Sequence, residues 1–547
     1  MKAKHYIYVL FAAMLALANM SCEDRLNIEK HGSLGGPENY YQTDEEADAA
    51  VASMYLSWRN LYSSWFYVKN LLSDDVYTGG GQRGDNANME QLNEFTFTSN
   101  NGLIESLYSG LYSLNYKANL IIGNVKGNSP VMNRAVAEAK FARAWAYFEL
   151  VTLWGTAPLV DHLLASNEYR QSNSTPEALW AFVEQNLEEA ISSGALPSKA
   201  NVNDEEATSR ITLETAKAYL GKAYLFQGKY ADAAKLFDQV IESNKYELYK
   251  GKLDLLGHAV TNNCSEAMLE IQRRNNAEQG WNQFVQFYIM LGWRTSHMAY
   301  GAKAMGEEDI ALGTYGFFNP RKSLYDAFVA MEGEDGYRLK SSIRTYKQMN
   351  EIDMHINVGA HLVGHEGYFP WKTRLLKSDN IIDMTYFQSL QYTNLRIMRY
   401  AEVLLMAAEA HVMGGGSADK AMKYINEVRT RAQLAPLSAV TLDDVKKEKR
   451  LELCLESVRY QDLVRWGDAK TVLGEQGKAI PAFGYFPKKN ANGEVIKDAQ
   501  GQPVYELKEE PENVKNTVYG FQDKHLLLPI PLKEIEVNYN MNQNEGW

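Results

Sequence analysis

The chain has 547 residues, 45% hydrophobic and 23% charged, enough to bury a large core without a disulfide framework. Its net charge of −12 opposes the basic footprint of a nucleic-acid binder, so nucleic acid is set aside as a partner. The same sign weighs against a polyanionic ligand, unless a local basic pocket overrides it.

Lys2 and Lys4 precede an apolar run from Tyr6 to Ala18 that is too short to span a bilayer. Ala18, Asn19, Met20, Ser21 and Cys22 close it, an arrangement similar to a bacterial lipoprotein signal, although Asn19 stands where an aliphatic residue is usual. Residues 1–21 are therefore expected to be removed and Cys22 to be lipidated. Residues 22–42, with Gly32, Gly35 and Gly36, read as a tether, and residues 43–547 as one domain. Cys264 and Cys454 are expected to be free thiols.

Thr43 and Glu46 form a capping box that opens a helix through about Leu61. Gly79 to Gly81 with Gly84 mark a loop, and helical patterns follow at Ile104–Val125, Arg134–Leu153 and Pro176–Ser192. Across 212–243, Leu220, Gly221, Tyr224, Gly228, Tyr230, Ala233, Phe237 and Val240 fall on the tetratricopeptide spacing. Small Gly221 and Ala233 let two helices approach, with Tyr224 and Phe237 filling the space between them. Two further hairpins, 137–153 with 176–192 and 398–411 with 417–431, are expected to stack beside this one, giving a right-handed helical-repeat scaffold. Residues 251–318 read as long loops rich in aromatics, and 470–525 likewise, with a hairpin turn at Asn492-Gly493. Asn319 and Pro320 are expected to be the N-cap and first residue of a helix.

The C-terminal third carries the sharpest motifs. Arg399-Tyr-Ala-Glu-Val-Leu-Leu-Met-Ala-Ala-Glu409, Ile425-Asn-Glu-Val-Arg-Thr-Arg-Ala432, the run Glu448 to Gly467, and Leu528-Pro-Ile-Pro531 with Gln543-Asn544 resemble signatures of the SusD/RagB family. Thr43–Tyr55, Glu138–Gly155, Asn319–Phe328 and Asp335–Arg338 agree in order. Lys449, Ser457-Val458 and Gln461 depart from the usual residues. The resemblance implies a mainly α fold, a tetratricopeptide-like scaffold with a loop-rich ligand-binding face. It also implies an outer-membrane, lipid-anchored Bacteroidetes protein facing the cell exterior. There it would capture oligosaccharides for a SusC-like TonB-dependent barrel without acting as an enzyme. The alternative is a peptide-binding lid of the RagB type. No cofactor is implied, and the lack of a visible ion-binding loop leaves a structural calcium ion open.

Read from the residues alone, the signature is structural. Thr441 and Asp444 cap a helix with Leu442, Val445, Leu451, Cys454 and Val458 on its apolar side. Glu456, Arg459, Asp462 and Arg465, three apart, form a charge ladder locking helices together. His361 and His365 lack the order of a zinc protease helix and read as rim histidines; Gly79 to Gly84 satisfies a dinucleotide pattern but without a strand–turn–helix setting. No catalytic or metal-ligating residue is therefore assigned. Glycan recognition needs aromatic faces for sugar C–H patches and planar polar groups for paired hydroxyls. The family places such groups on an early and a middle segment, here 74–101 and 275–318. Tyr77, Trp293, Tyr300 and Tyr315 are the expected platforms, with Asp75, Arg83 and Asn101 as polar partners.

Overall fold

The computed structural model describes residues 40–382, 384–385, 387–512 and 516–547, so the expected signal and Cys22 lie outside the described residues. The first helix, α1 (Asp44–Leu71), opens on the expected capping box: Thr43 Oγ1 accepts from Glu46 N at 3.2 Å, and Glu46 Oε2 accepts from Thr43 N at 3.0 Å. It continues past Leu61 because Tyr62, Trp65, Phe66, Val68 and Leu71 are buried on all its sides. A helix surrounded by core loses the one-sided periodicity that marks an amphipathic one.

The helices that follow are α2 (Ala87–Glu94), α3 (Gly102–Asn124), α4 (Pro130–Trp154), α5 (Pro176–Ser192), α6 (Leu213–Phe226) and α7 (Tyr230–Glu242). Later come α8 (Lys322–Glu332), α9 (Tyr400–Met413), α10 (Ala418–Arg431), α11 (Leu442–Glu452) and α12 (Arg459–Arg465). The protein is mainly α, and its helices pack as a run of neighbours: α3 on α4, α4 on α5, α5 on α6, α6 on α7, α7 on α9 and α9 on α10. The three expected hairpins thus stack, with the α7–α9 contact joining segments far apart in sequence. Gly221 allows this closeness, since a Cβ there would lie 2.8 Å from the buried Phe237 ring. Tyr224 departs from expectation. Its hydroxyl donates to Glu188 Oε1 on α5 at 2.9 Å, so it bridges outward to the neighbouring helix.

The charge ladder is also rearranged. Leu455 and Ser457 adopt positive φ of 64°, which ends α11 at Glu452 and starts α12 afresh at Arg459. Only Asp462 and Arg465 pair locally, at 2.8 Å. Glu456 instead reaches Arg399 at 2.7 Å, Arg459 reaches Asp74 at 2.8 Å, and Arg465 reaches Glu409 at 2.7 Å. The locking role holds, but between distant elements. At its centre, Arg338, Arg399 and Arg431 converge on Glu452, all of them buried or nearly so.

Short strands carry the loops: β1 (Val76–Gly79), β2 (Ala267–Ile271), β3 (Met298–Tyr300), β4 (Phe317–Pro320), β5 (Met354–Ile356), β6 (His361–Val363), β7 (Leu395–Arg399), β8 (Pro481–Pro487) and β9 (Tyr505–Pro511). Antiparallel pairs are β1–β4, β2–β7 and β3–β5, and β8 is flanked by β6 and β9. Asn319 and Pro320 therefore end a strand and do not start a helix; β1 claims their backbone, and Asn319 Nδ2 donates to Gly364 O at 3.1 Å. The segment expected to be loops around 492 holds the β8–β9 ladder, with Gly493 at φ 82° in the turn beyond it. Cys264 and Cys454 are free, and burial pushes the Cys454 thiol up to about 11. One large apolar core runs through the helices, and a smaller one, including Trp293, Met298, Tyr346, Phe369 and Trp371, underlies the loops. Among the described residues no helix is long and apolar enough to cross a membrane.

Candidate ligand-binding face

The early and middle segments meet edge to edge. β1 and β4 pair in the register Val76↔Pro320, Tyr77↔Asn319 and Gly79↔Phe317, and Gly80 N donates to Gly316 O at 3.0 Å beyond the pair. Gly79 has φ 78°, and a Cβ there would lie 2.5 Å from Gly316 O, so only glycine fits the turn. The glycine loop then bends over Arg294. Arg294 Nη1 donates to Asp85 Oδ2 at 2.8 Å, and the same oxygen accepts from Gly81 N at 2.7 Å. The Arg294 guanidinium carbon stands 5.9 Å from the centre of the Tyr315 ring, which is 44% exposed. Asn357 N donates to His297 O at 2.9 Å, bringing up the loop that leads into β6, where His361 stacks on Phe486 at 4.8 Å. Tyr315, Arg294, Asp85 and the His361–Phe486 pair thus rim one loop-built surface.

Most of the residues expected from sequence serve to build this face. Asp75 is buried and pairs with Arg450 at 2.9 Å, and burial raises its carboxyl above the ordinary value. Its neighbour Asp74 is held low, because Arg450 and Arg459 outweigh burial. Asn101 is the N-cap of α3, accepting from Leu103 N at 3.1 Å and donating to Asn88 O at 3.0 Å. Trp293 is 3% exposed and packs 6.0 Å from Trp371 in the smaller core. Asp75, Asn101 and Trp293 are thus enclosed within the chain and do not lie open on the face, with Asp75 Oδ2 and Trp293 Nε1 buried and without a hydrogen-bond partner. Tyr77 is buried under the Arg321 guanidinium at 3.9 Å, and burial pushes its hydroxyl up to about 12. Arg83 is part-exposed and held by Glu94 at 2.5 Å and Glu90 at 3.4 Å. Tyr300 spends its hydroxyl on Trp293 O at 2.9 Å. Tyr315 alone of the expected platforms presents a broad open ring.

A second exposed platform is absent from the residues expected on sequence grounds. Trp281 is 54% exposed and lies 4.7 Å from Phe387, with Phe284 6.1 Å away, so three rings support one another. Gln388 N donates to Leu312 O at 3.0 Å, tying the Phe387 segment to the run that ends at Tyr315. Trp281 was visible in the loop, but its partner Phe387 is far off in sequence. Nothing in the sequence pairs them.

Two family profiles match the chain: one described as "SusD family" over residues 367–547, the other as "Starch-binding associating with outer membrane" over residues 37–225. The chain belongs to the SusD family. It is 26% identical to a SusD-like protein P2 of Formosa agariphila, with 86% of this chain and 92% of that one covered. Among solved structures, it superposes on a laminarin binding SusD-like protein with a TM-score of 0.73 and 27% identity, covering 93% of this chain and 100% of that one. A surface glycan-binding protein A from Bacteroides thetaiotaomicron, in complex with laminarihexaose, matches with a TM-score of 0.70 and 22% identity, covering 92% and 100%.

In this SusD-like fold the buried carboxylates at the centre of the signature helices serve as ion-pair partners. Glu266, Glu448 and Glu452 each contact at least two arginines, which is unlike an acid–base pair facing across a cleft. His365, expected on the rim, is fully buried beside Phe369; burial lowers its pKa to about 3, and its Nδ1 accepts from Gly367 N at 2.9 Å. Its enclosure follows from the β6–β8 pairing that folds its loop inward.

Proposed function

We propose that this SusD-family chain binds oligosaccharides at the cell surface without transforming them. In this reading Cys22 anchors it to the outer membrane, and it delivers its ligand to a SusC-like TonB-dependent barrel. The carrying observation is the loop-built face, where the open ring of Tyr315 accompanies the fixed Arg294–Asp85 pair, with a second exposed ring, Trp281, on the same middle segment of the chain. Rings offer sugars a flat apolar surface, and a guanidinium–carboxylate pair offers adjacent donors and acceptors to vicinal hydroxyls. The laminarin binding SusD-like protein and the surface glycan-binding protein in complex with laminarihexaose support the same class of ligand. Delivery needs only that ligand favour the barrel-closed arrangement through differential affinity.

Isothermal titration of the purified chain against neutral gluco-oligosaccharides is the test, with Trp281→Ala and Tyr315→Ala beside the parent. Loss of affinity in either variant with unchanged melting supports the face. Full affinity in the double variant would place the ligand elsewhere.

A further inference from the structure

A second concavity, a cleft of about 610 Å³, lies between the N-terminal half of α1 and the chain following β2. Its wall holds four arginines in a protein whose overall charge is −12: Arg59, Arg210, Arg273 and Arg274. Arg210 is balanced, meeting Glu138 at 2.9 Å and Asp48 at 3.0 Å. Among the described residues, no carboxylate pairs with Arg59, Arg273 or Arg274. Arg273 is 7% exposed; its Nη2 donates to the carbonyls of Gln283 and Gln391, while its Nε is buried without a partner. Arg59 Nε is likewise buried and unpaired. Burial lowers the pKa of both groups, and Arg59 adds repulsion on Arg273. Uncompensated like charges in a partly desolvated cleft are costly, and an anion would remove that cost.

We propose that this cleft binds the anionic group of an acidic saccharide, a uronate carboxylate or a sulfate ester, through Arg59, Arg273 and Arg274. Guanidinium groups match both anions because two parallel N–H donors meet two oxygens. The sugar half of the assignment rests on the glycan reading above and on the segment Ala277–Gln283, a helical turn kinked at Gly280. There Gln279 and Gln283 line the cleft with amides, and exposed Trp281 lies between them in sequence. The anionic half rests on the arginines alone.

The experiment titrates the full mature chain with four probes: a neutral gluco-oligosaccharide, an oligogalacturonate, a sulfated galactan oligosaccharide and inorganic sulfate. The parent is compared with Arg59→Gln/Arg274→Gln, which spares Arg273 because it holds two backbone carbonyls. At least one acidic oligosaccharide should bind the parent, with affinity falling as salt rises and at least about tenfold in the variant. Neutral binding should not change. The acidic probe that binds more tightly identifies the anion, and inorganic sulfate should compete with it. Equal binding of acidic probes by parent and variant would overturn the proposal. Neutral binding without any acidic binding would overturn it too, while leaving the glycan reading intact. If no saccharide binds but sulfate does, the glycan reading fails and only the anion site stands.

Discussion

Glu452 sits among three guanidinium groups, and Glu452→Gln measures how strongly they hold the fold. Its Oε1 contacts Arg399 Nη1 at 2.6 Å and Arg431 Nη2 at 2.5 Å; its Oε2 contacts Arg338 Nη1 at 3.1 Å. Removing one member of a buried ion pair costs about 3–5 kcal/mol. The lower end applies, because each arginine retains a carboxylate: Glu332 and Glu448 for Arg338, Glu266 and Glu456 for Arg399, and Glu266 for Arg431. At about 2.1 cal/mol/K of unfolding entropy per residue over roughly 500 residues, about 3 kcal/mol lowers Tm by about 3 °C. Scanning calorimetry at neutral pH reads this directly. Acid adds a second readout. Arg431, Arg399 and Arg338 outweigh burial and hold the Glu452 carboxyl well below its ordinary value of 4.5. A carboxyl depressed in the folded state contributes stability above its unfolded pKa, lost as pH falls through its folded one. The deficit of the variant should therefore be flat from neutral pH to about 4.5 and shrink only below that. A Tm shift under about 1 °C, or a gain, would refute the locking role.

Trp293→Ala should destabilise by about 3–5 kcal/mol, seen in denaturant melts, because it empties the smaller core; Trp281→Ala should leave stability within about 0.5 kcal/mol and weaken only ligand binding. Gly221→Ala should cost about 1–3 kcal/mol, since the added methyl meets the Phe237 ring between α6 and α7. His365 stays neutral when folded but protonates near 6.5 when unfolded, so its folded pKa of about 3 makes stability fall as pH drops from about 6.5 towards 3. His365→Asn should flatten that acid slope in pH-dependent melts; an unchanged slope would assign it to other groups.

The legible parts of the fold were those written in local spacing. The Thr43–Glu46 and Thr441–Asp444 capping boxes and the Gly221–Phe237 contact stand as read, because each depends on residues close in sequence. Misreadings arose where a distant partner intervened. Asn319-Pro320 has a strong helix-start signature, yet β1 recruits it into a strand. Glu456 and Arg459 have helical pairing distance, but left-handed backbone at Leu455 and Ser457 sends them to different partners. The candidate face follows the same division. The two contributing segments were identifiable, whereas burial of Asp75 and Trp293 involves Arg450 and Trp371, neighbours from elsewhere in the chain.

From the sequence alone came the family, the helical-repeat character and the two loop regions, since periodicity, capping chemistry and contiguous motifs are local properties. Only the tertiary structure decided which aromatic rings remain open and which arginines lack a carboxylate. Exposure and charge balance are sums over everything packed nearby, and Trp281 with Phe387, or Arg59 with Arg273, become neighbours only once the chain has folded.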